Sequence, residues 1–452
     1  MLAMLIAGIL ISFSGPTVPP VGFHPGEALV GTALSTLAGA LSGFAYRWGI
    51  PQRAPATLAE HLAWRRRHRR FTWLGRGLLV GTYLFTVYGL SWPAFVSTTL
   101  GLREVVALDQ VLILAPYLVS MFGAMVISFP AQRRATGIPW TLAGYLGFVL
   151  RQYWALLLLP WLLYVVALDL LGMFVTPRLP PDWRAPVGWT SLLALMVLLY
   201  TFWPLTLGWF WPTRELPEGP LRDRLTALCR RAGVGYRRML IWRAPVGGLA
   251  NAAVAGLTRS VRHILLTDTL LERLEPEEVE AVLGHELGHV LRHHLPSYVL
   301  FAVGFIALAL LGDILLGGSL PEPALTVASG ATLLDLAVSA AAIGLYWGLL
   351  FGWVSRRFER EADLVGGEMV GNPEALARAL EKITQLNGRP RERGSWRDFA
   401  VAKRSEFLRQ TALDPGLRAR ALAQCDTIRR IVAFAAGATV VAVGYLLFLG
   451  RA

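Results

Sequence analysis

Along this chain, long unbroken apolar windows outnumber alternating or amphipathic patterns. Eight windows are about 20 residues long, the length a helix needs to cross a bilayer core of roughly 30 Å. They run over about 28–46, 78–96, 111–129, 154–175, 190–211, 297–317, 333–354 and 431–449. The opening "MLAMLIAGILISF" is a ninth apolar stretch; it is short and lacks the basic flank of a signal peptide, so it reads as a partial or interfacial helix. Pro-rich breaks such as "GPTVPP" and "RLPPDWRAP" separate the earlier windows as loops. The pattern predicts a mainly α, polytopic membrane protein.

Two polar stretches, 212–296 and 355–430, interrupt the pattern and read as one soluble module with two spans inserted in it. The first opens with helical spacing from Leu221 to Cys229. It then carries short β-rich runs, "MLIW" and "HILLT", which predict a small hairpin or sheet. A helix is expected from "LEPEEVEAVL", where Pro276 suits the first helical position and Glu277, Glu278 and Glu280 favour the positive end of the helix dipole. The chain thus divides into an N-terminal membrane domain (1–211, five spans), the module with its inserted spans (212–430, spans 297–317 and 333–354) and a C-terminal span (431–452).

Composition agrees. The chain is 54% hydrophobic and 16% charged, against about 45–50% and about 25% for an ordinary soluble domain. A net charge of +13 raises the question of nucleic acid, which the distribution of charge answers. If the eight spans alternate, all but Arg103, Arg178, Arg184 and Arg451 of the 43 Lys and Arg fall on one side, including the run "WRRRHRR". The positive-inside rule makes that side the cytoplasm, and the basic loops meet water or lipid headgroups rather than nucleic acid. Cys229 and Cys425 would then be in a reducing compartment, which argues against a disulfide.

The chemistry begins at "LGHELGHVLRHH". His285 and His289 lie four residues apart on one helical face, where both imidazoles can reach one metal, and Glu286 lies about 100° round the axis, within reach of a bound water. A catalytic zinc takes three N or O ligands and keeps one open position. Val279, Val282 and Leu283 give the helix an apolar face to bury, and the small residues beside the histidines would leave room for substrate. The third ligand is expected in "FEREAD": Glu359 and Asp363 again share a face, Glu359 as ligand and Asp363 orienting a ligating histidine. Glu361 faces elsewhere. His293 and His294 are read as cap or interface residues, and His24, His61, His68 and His263 as loop or strand residues. Asp313 and Asp335 fall inside spans and should face the bundle or a wet cavity.

Together, "HELGH", two spans, "SRRFEREAD" and "GNPEALARALEKI" resemble metallopeptidase family 48, the integral-membrane gluzincins that include a heat-shock protease and CAAX prenyl endopeptidases. The resemblance covers about 215–425. It implies one Zn2+ per chain, held by His285, His289 and Glu359, with Glu286 as catalytic acid/base. It also implies an edge strand at Asn251 and Ala252 that binds the substrate backbone by strand addition. Where the family has His-Pro before an arginine, this chain reads "DPGLRAR". Asp414 stands in the histidine's place, leaving Arg420 as one candidate oxyanion stabiliser.

The expected function is therefore a zinc endopeptidase of the inner membrane, active site facing the cytoplasm, cleaving membrane or misfolded proteins in quality control. CAAX-type processing is the alternative. From other classes come a signalling receptor, which would need an extracytoplasmic sensor larger than these outside loops, and a transporter with a relic zinc site, against which the intact ligand set and Glu286 speak.

Overall fold

The computed structural model describes residues 2–50, 58–102, 105–136, 140–243, 250–315, 341–387 and 390–449. Among them, five helices are long and apolar enough to cross a membrane: Pro25–Trp48, Leu108–Arg134, Leu142–Arg178, His294–Gly312 and Pro415–Leu449. A sixth candidate, Arg67–Gly89 with Trp92–Thr99, is bent by 54°. The bend falls at Ser91, whose φ of 51° is left-handed, just ahead of Pro93. The expected window 190–211 is divided as well, because helix Pro181–Phe202 gives way to a 3-10 turn, Trp203–Thr206, containing Pro204. The first part of the window 333–354, residues 333–340, lies outside the described residues, as do Asp335 and the side chain of Asp313. The opening stretch forms a 13-residue helix, Leu2–Ser14, about 20 Å long and so shorter than a bilayer core.

The chain forms two compact units, one comprising Met1–Met196 and the other Val197–Leu320 with Leu333–Ala452. In the first, α1 (Pro25–Leu41), α2 (Leu58–Leu84) and α3 (Leu108–Thr136) pack closely. Small residues allow the approach: a Cβ added to Gly39 would sit 2.6 Å from Ser120 Oγ. The hydroxyls at these contacts bond across to backbone or to each other. Ser35 donates to the Thr82 carbonyl, Ser120 to the Thr36 carbonyl, Tyr83 to the Ile113 carbonyl and Thr86 to Ser35. In lipid, such small-residue and hydroxyl contacts replace the hydrophobic drive that water would supply.

The second unit holds a four-stranded sheet of β1 (Thr213–Glu215), β2 (Arg238–Trp242), β3 (Ala252–Ala255) and β4 (His263–Thr267), ordered β1-β2-β4-β3. β4 is buried along its whole length, parallel to β2 and antiparallel to β3, so β3 forms one edge. One face is covered by α4 (Pro220–Arg231) through Leu225 and Leu228, and by α5 (Pro276–Leu291) through Val279, Leu283 and Leu287. α5 begins as expected, with Pro276 in the first turn and a capping box between Glu275 and Glu278. Glu278 and Glu280 are themselves buried and paired, with Lys382 and with Arg224 and Arg231 respectively. The unit also contains α6 (His294–Leu315), α7 (Gly352–Val370), α8 (Pro373–Leu386) and α9 (Val401–Leu413). The long α10 (Pro415–Leu449) follows, its charged first half leading into an apolar stretch with Phe434, Val441 and Phe448 exposed.

Candidate metal centre

The site is built where α5 meets α7. Their backbones nearly touch, since a Cβ on Gly366 would fall 2.5 Å from the His285 nitrogen and one on Gly288 would fall 3.0 Å from the Ala362 carbonyl oxygen. The glycines next to the histidines thus serve helix contact, not substrate entry as the sequence suggested. This approach sets the face of α7 that carries Glu359 and Asp363 against the face of α5 that carries His285 and His289.

His285 Nε2 lies 3.2 Å from His289 Nε2; Glu359 Oε2 lies 3.5 Å from the first of these nitrogens and Glu359 Oε1 lies 3.5 Å from the second. Zinc bonds about 2.0–2.2 Å long in a tetrahedral arrangement separate neighbouring ligand atoms by about 3.3–3.5 Å. One ligand atom from each residue lies within 4.8 Å of the others, a triangle that one ion can bridge with small side-chain adjustments, and its donors, two imidazoles and a carboxylate, are types that suit zinc. Two neutral imidazole nitrogens facing each other across 3.2 Å have little reason to converge without a shared proton or ion.

Around the triangle runs a shell of paired charges. Asp363, 1% exposed, has Oδ1 2.9 Å from His285 Nδ1 and accepts two hydrogen bonds from the Arg404 guanidinium, at 2.6 and 2.8 Å. Arg404, also buried, lies 3.6 Å from Glu359. On the other side, His289 Nδ1 is 2.8 Å from His294 Nδ1, and His294 Nε2 is 2.8 Å from Glu361 Oε2. With His289 Nε2 kept as a lone pair, one proton arrangement satisfies this row: His289 donates from Nδ1 to His294, and His294 donates from Nε2 to Glu361. Arg292 and Arg429 hold the Glu361 carboxylate from its remaining sides.

These surroundings set the charges. Burial alone would raise the Glu359 carboxyl, but His285, His289 and Arg404 outweigh it and hold it well below the ordinary carboxylate range. Burial pushes Glu286 up to about 7, with His285, the Val254 amide and Arg404 opposing the shift and Glu359 adding to it. Burial lowers His289 to about 3, which keeps its ring neutral. It also disfavours charge on His285, yet Asp363 and Glu359 beside that ring carry its proton affinity up to about 10.

A cleft of about 870 Å3 opens onto the triangle and is lined by His285, Glu286, His289, Glu359 and the β3 edge from Asn251 to Val254. The Asn251 carbonyl accepts from the Thr267 amide, turning that residue's main chain inward to β4. By the alternation of an antiparallel ladder, Ala252 and Val254 present their main-chain groups to the open edge.

Of the expected site residues, the structure thus brings His285, His289, Glu286, Glu359, Asp363, Asn251 and Ala252 into one place. Arg420 is not with them. It is an exposed side chain on α10, 3.7 Å from Asp414 and absent from the cleft lining, because α10 turns this position away; the guanidinium beside the triangle is that of Arg404. Sequence reasoning passed over His294, Glu361 and Arg404. His294 is fully buried rather than an interfacial cap, because His293, with φ 53°, reverses the chain between α5 and α6. The doubled histidine was the available signal; nothing distinguished Arg404 among its many basic neighbours.

Residues 215–425 match the model of peptidase family M48. The chain is 35% identical to a protease HtpX homolog of Bacteroides fragilis over 30% of this chain and 44% of that protein. It is 32% identical to a homolog from Aeropyrum pernix over 43% and 61%, and 28% identical to Escherichia coli protease HtpX over 43% and 70%. The chain thus spans 44% and 61% of the first two relatives' lengths. The crystal structure of S. mikatae Ste24p superposes with a TM-score of 0.55 at 15% identity, covering 86% of this chain and 99% of that one, which is a likeness of fold.

Proposed function

We propose, from the match of residues 215–425 to the model of peptidase family M48, that this membrane protein is a zinc-dependent endopeptidase. His285, His289 and Glu359 would hold one zinc ion, and the carrying observation is that their donor atoms converge within 4.8 Å of one another on the cleft that also contains Glu286 and the β3 edge. When bound, zinc supplies Lewis acidity that lowers the pKa of a water towards about 7 and polarises a peptide carbonyl.

The chain's own groups would do the rest. Ala252, and Val254 through its carbonyl oxygen, bind an extended substrate by main-chain hydrogen bonds, a mode with little side-chain demand that suits proteins of varied sequence. Glu286 takes a proton from the water as its oxygen attacks the carbonyl carbon, then returns it to the amine nitrogen as the C–N bond breaks. Its raised proton affinity matches both halves of that task near neutral pH. Asp363, itself held by Arg404, fixes the ring of His285, while His294 and Glu361 fix that of His289.

The charge distribution supports an inner-membrane location with the cleft facing the cytoplasm, because, with the eight apolar windows alternating, the module would share its side of the membrane with nearly all the Lys and Arg. Such a site suits removal of membrane or misfolded proteins. Glu286→Gln in detergent-purified protein tests the reading. Zinc content is expected to stay at about one ion per chain while cleavage of an unfolded protein falls by about 10²–10⁴; unchanged cleavage would sink it.

A further inference from the structure

Away from the cleft, α7, α9 and α10 enclose a second pocket of about 430 Å3, lined by Arg357, Arg360, Arg420, Gln424 and Phe407 among others. We infer that it binds the phosphate headgroup of an anionic phospholipid.

The pocket presents cations without counter-ions. Among the described residues, no carboxylate lies within ion-pairing distance of Arg357 or Arg360, and Arg420 has only a loose exposed contact, 3.7 Å from Asp414. Glu361 borders the pocket, but Arg292, His294 and Arg429 already occupy its carboxylate at 2.6, 2.8 and 2.5 Å. An anion in the pocket would supply the missing partner.

The guanidiniums are also presented as a phosphate needs them. Arg357 stacks 3.7 Å over Trp353, and Arg360 lies 3.9 Å over Phe399 and 4.5 Å from Phe407. Stacking fixes the guanidinium planes while leaving edge N–H groups to donate, and Nε of each is buried with no hydrogen-bond acceptor. Bidentate donation from such edges matches phosphate oxygens.

The depth fits a lipid. The apolar helix Gly344–Phe351 and Trp353 precede the first cation of α7, Arg356. α10 turns apolar at Ile431, just after Arg429 and Arg430. Cys425 Sγ, 3.6 Å from the Arg357 carbonyl oxygen, sets the two helices level. Arg357 and Arg360 therefore lie about 6–10 Å along α7 from Trp353, near a headgroup layer, and on α10 Gln424 lies about 10 Å and Arg420 about 16 Å from Ile431, on the water side of it. Basic pockets between helices at that depth recognise anionic headgroups.

Native mass spectrometry of the full chain in uncharged detergent, titrated with phosphatidylglycerol or phosphatidylcholine, tests the site. Phosphatidylglycerol is expected to bind roughly tenfold or more tightly, a preference lost in Arg357→Gln/Arg360→Gln, weakened a few-fold in Arg420→Glu, and kept in Arg230→Gln, which removes a charge from exposed α4. Arg420 is exposed, so its variant keeps the fold and the test survives if the double variant does not. Equal binding of the two lipids, or an unchanged preference in Arg420→Glu, overturns the proposal. So does inorganic phosphate that displaces phosphatidylglycerol, which would make free phosphate the ligand. Protease activity is not read, so failure here leaves the zinc site untouched.

Discussion

Around Gly39 in the first unit, the atoms an added Cβ would meet are the Ser120 and Thr82 hydroxyls; around Gly366 in the second, they are the backbone of Gly284 and His285. Both contacts bring helices together, but the polar groups beside them differ in kind. The first unit uses neutral hydroxyls, each needing a single acceptor. The second buries carboxylates in networks of ions: Asp363 with Arg404 and His285, and Glu361 with Arg292, His294 and Arg429. Hydroxyl contacts between apolar helices are worth little each and tolerate change. Buried charges are costly to take from water and hold only while every partner is present. The second arrangement suits a metal centre, whose ligands must stay in place between turnovers.

Substitutions can break that contrast. Arg404→Met leaves the buried Asp363 with only His285 as partner and is expected to cost about 3–5 kcal/mol with loss of bound zinc, whereas Ser35→Ala should cost about 0.6 kcal/mol. Thermal melts and metal analysis of both variants measure the difference; equal losses would erase it. Gly366→Ala forces α7 from α5 and should cost about 1–3 kcal/mol while weakening zinc binding. Gly39→Ala, by contrast, should lower the melting temperature and leave zinc affinity alone. Competition with a chromogenic chelator separates the two.

Subtler changes sharpen it. His294→Ala removes the acceptor that orients His289, and zinc affinity should drop about 10–100-fold with helicity unchanged. An affinity equal to the parent's would mean His289 is held by packing alone. Smallest is the pH effect. Because Asp363 and Glu359 raise His285 to about 10 in the metal-free protein, a metal taking its Nε2 must displace a proton. Zinc affinity should therefore rise about tenfold per pH unit through the neutral range and fall as acid is added. A flat profile between pH 6 and pH 8, a window of roughly two decades of proton activity, would show that His285 is already neutral before metal arrives.

Much of this was legible in the order of residues. Apolar runs long enough to span a bilayer marked the membrane helices, and spacing of four put His285 with His289 and Glu359 with Asp363, because helical period alone decides which side chains share a face. Tertiary structure decided the rest. The bend at Ser91 and the turn at Pro204 divide windows that hydropathy reads as continuous. Glu361, two residues from Glu359, points about 200° round α7 from it; it matters only because the turn at His293 sets α6 against that face and delivers His294 between Glu361 and His289. Arg404 and Asp363 stand 41 positions apart and meet through the packing of α9 on α7. Local period fixes which groups can act together on one helix, whereas the partners that hold them come from other helices, and their identity is settled only when the backbones close at glycine.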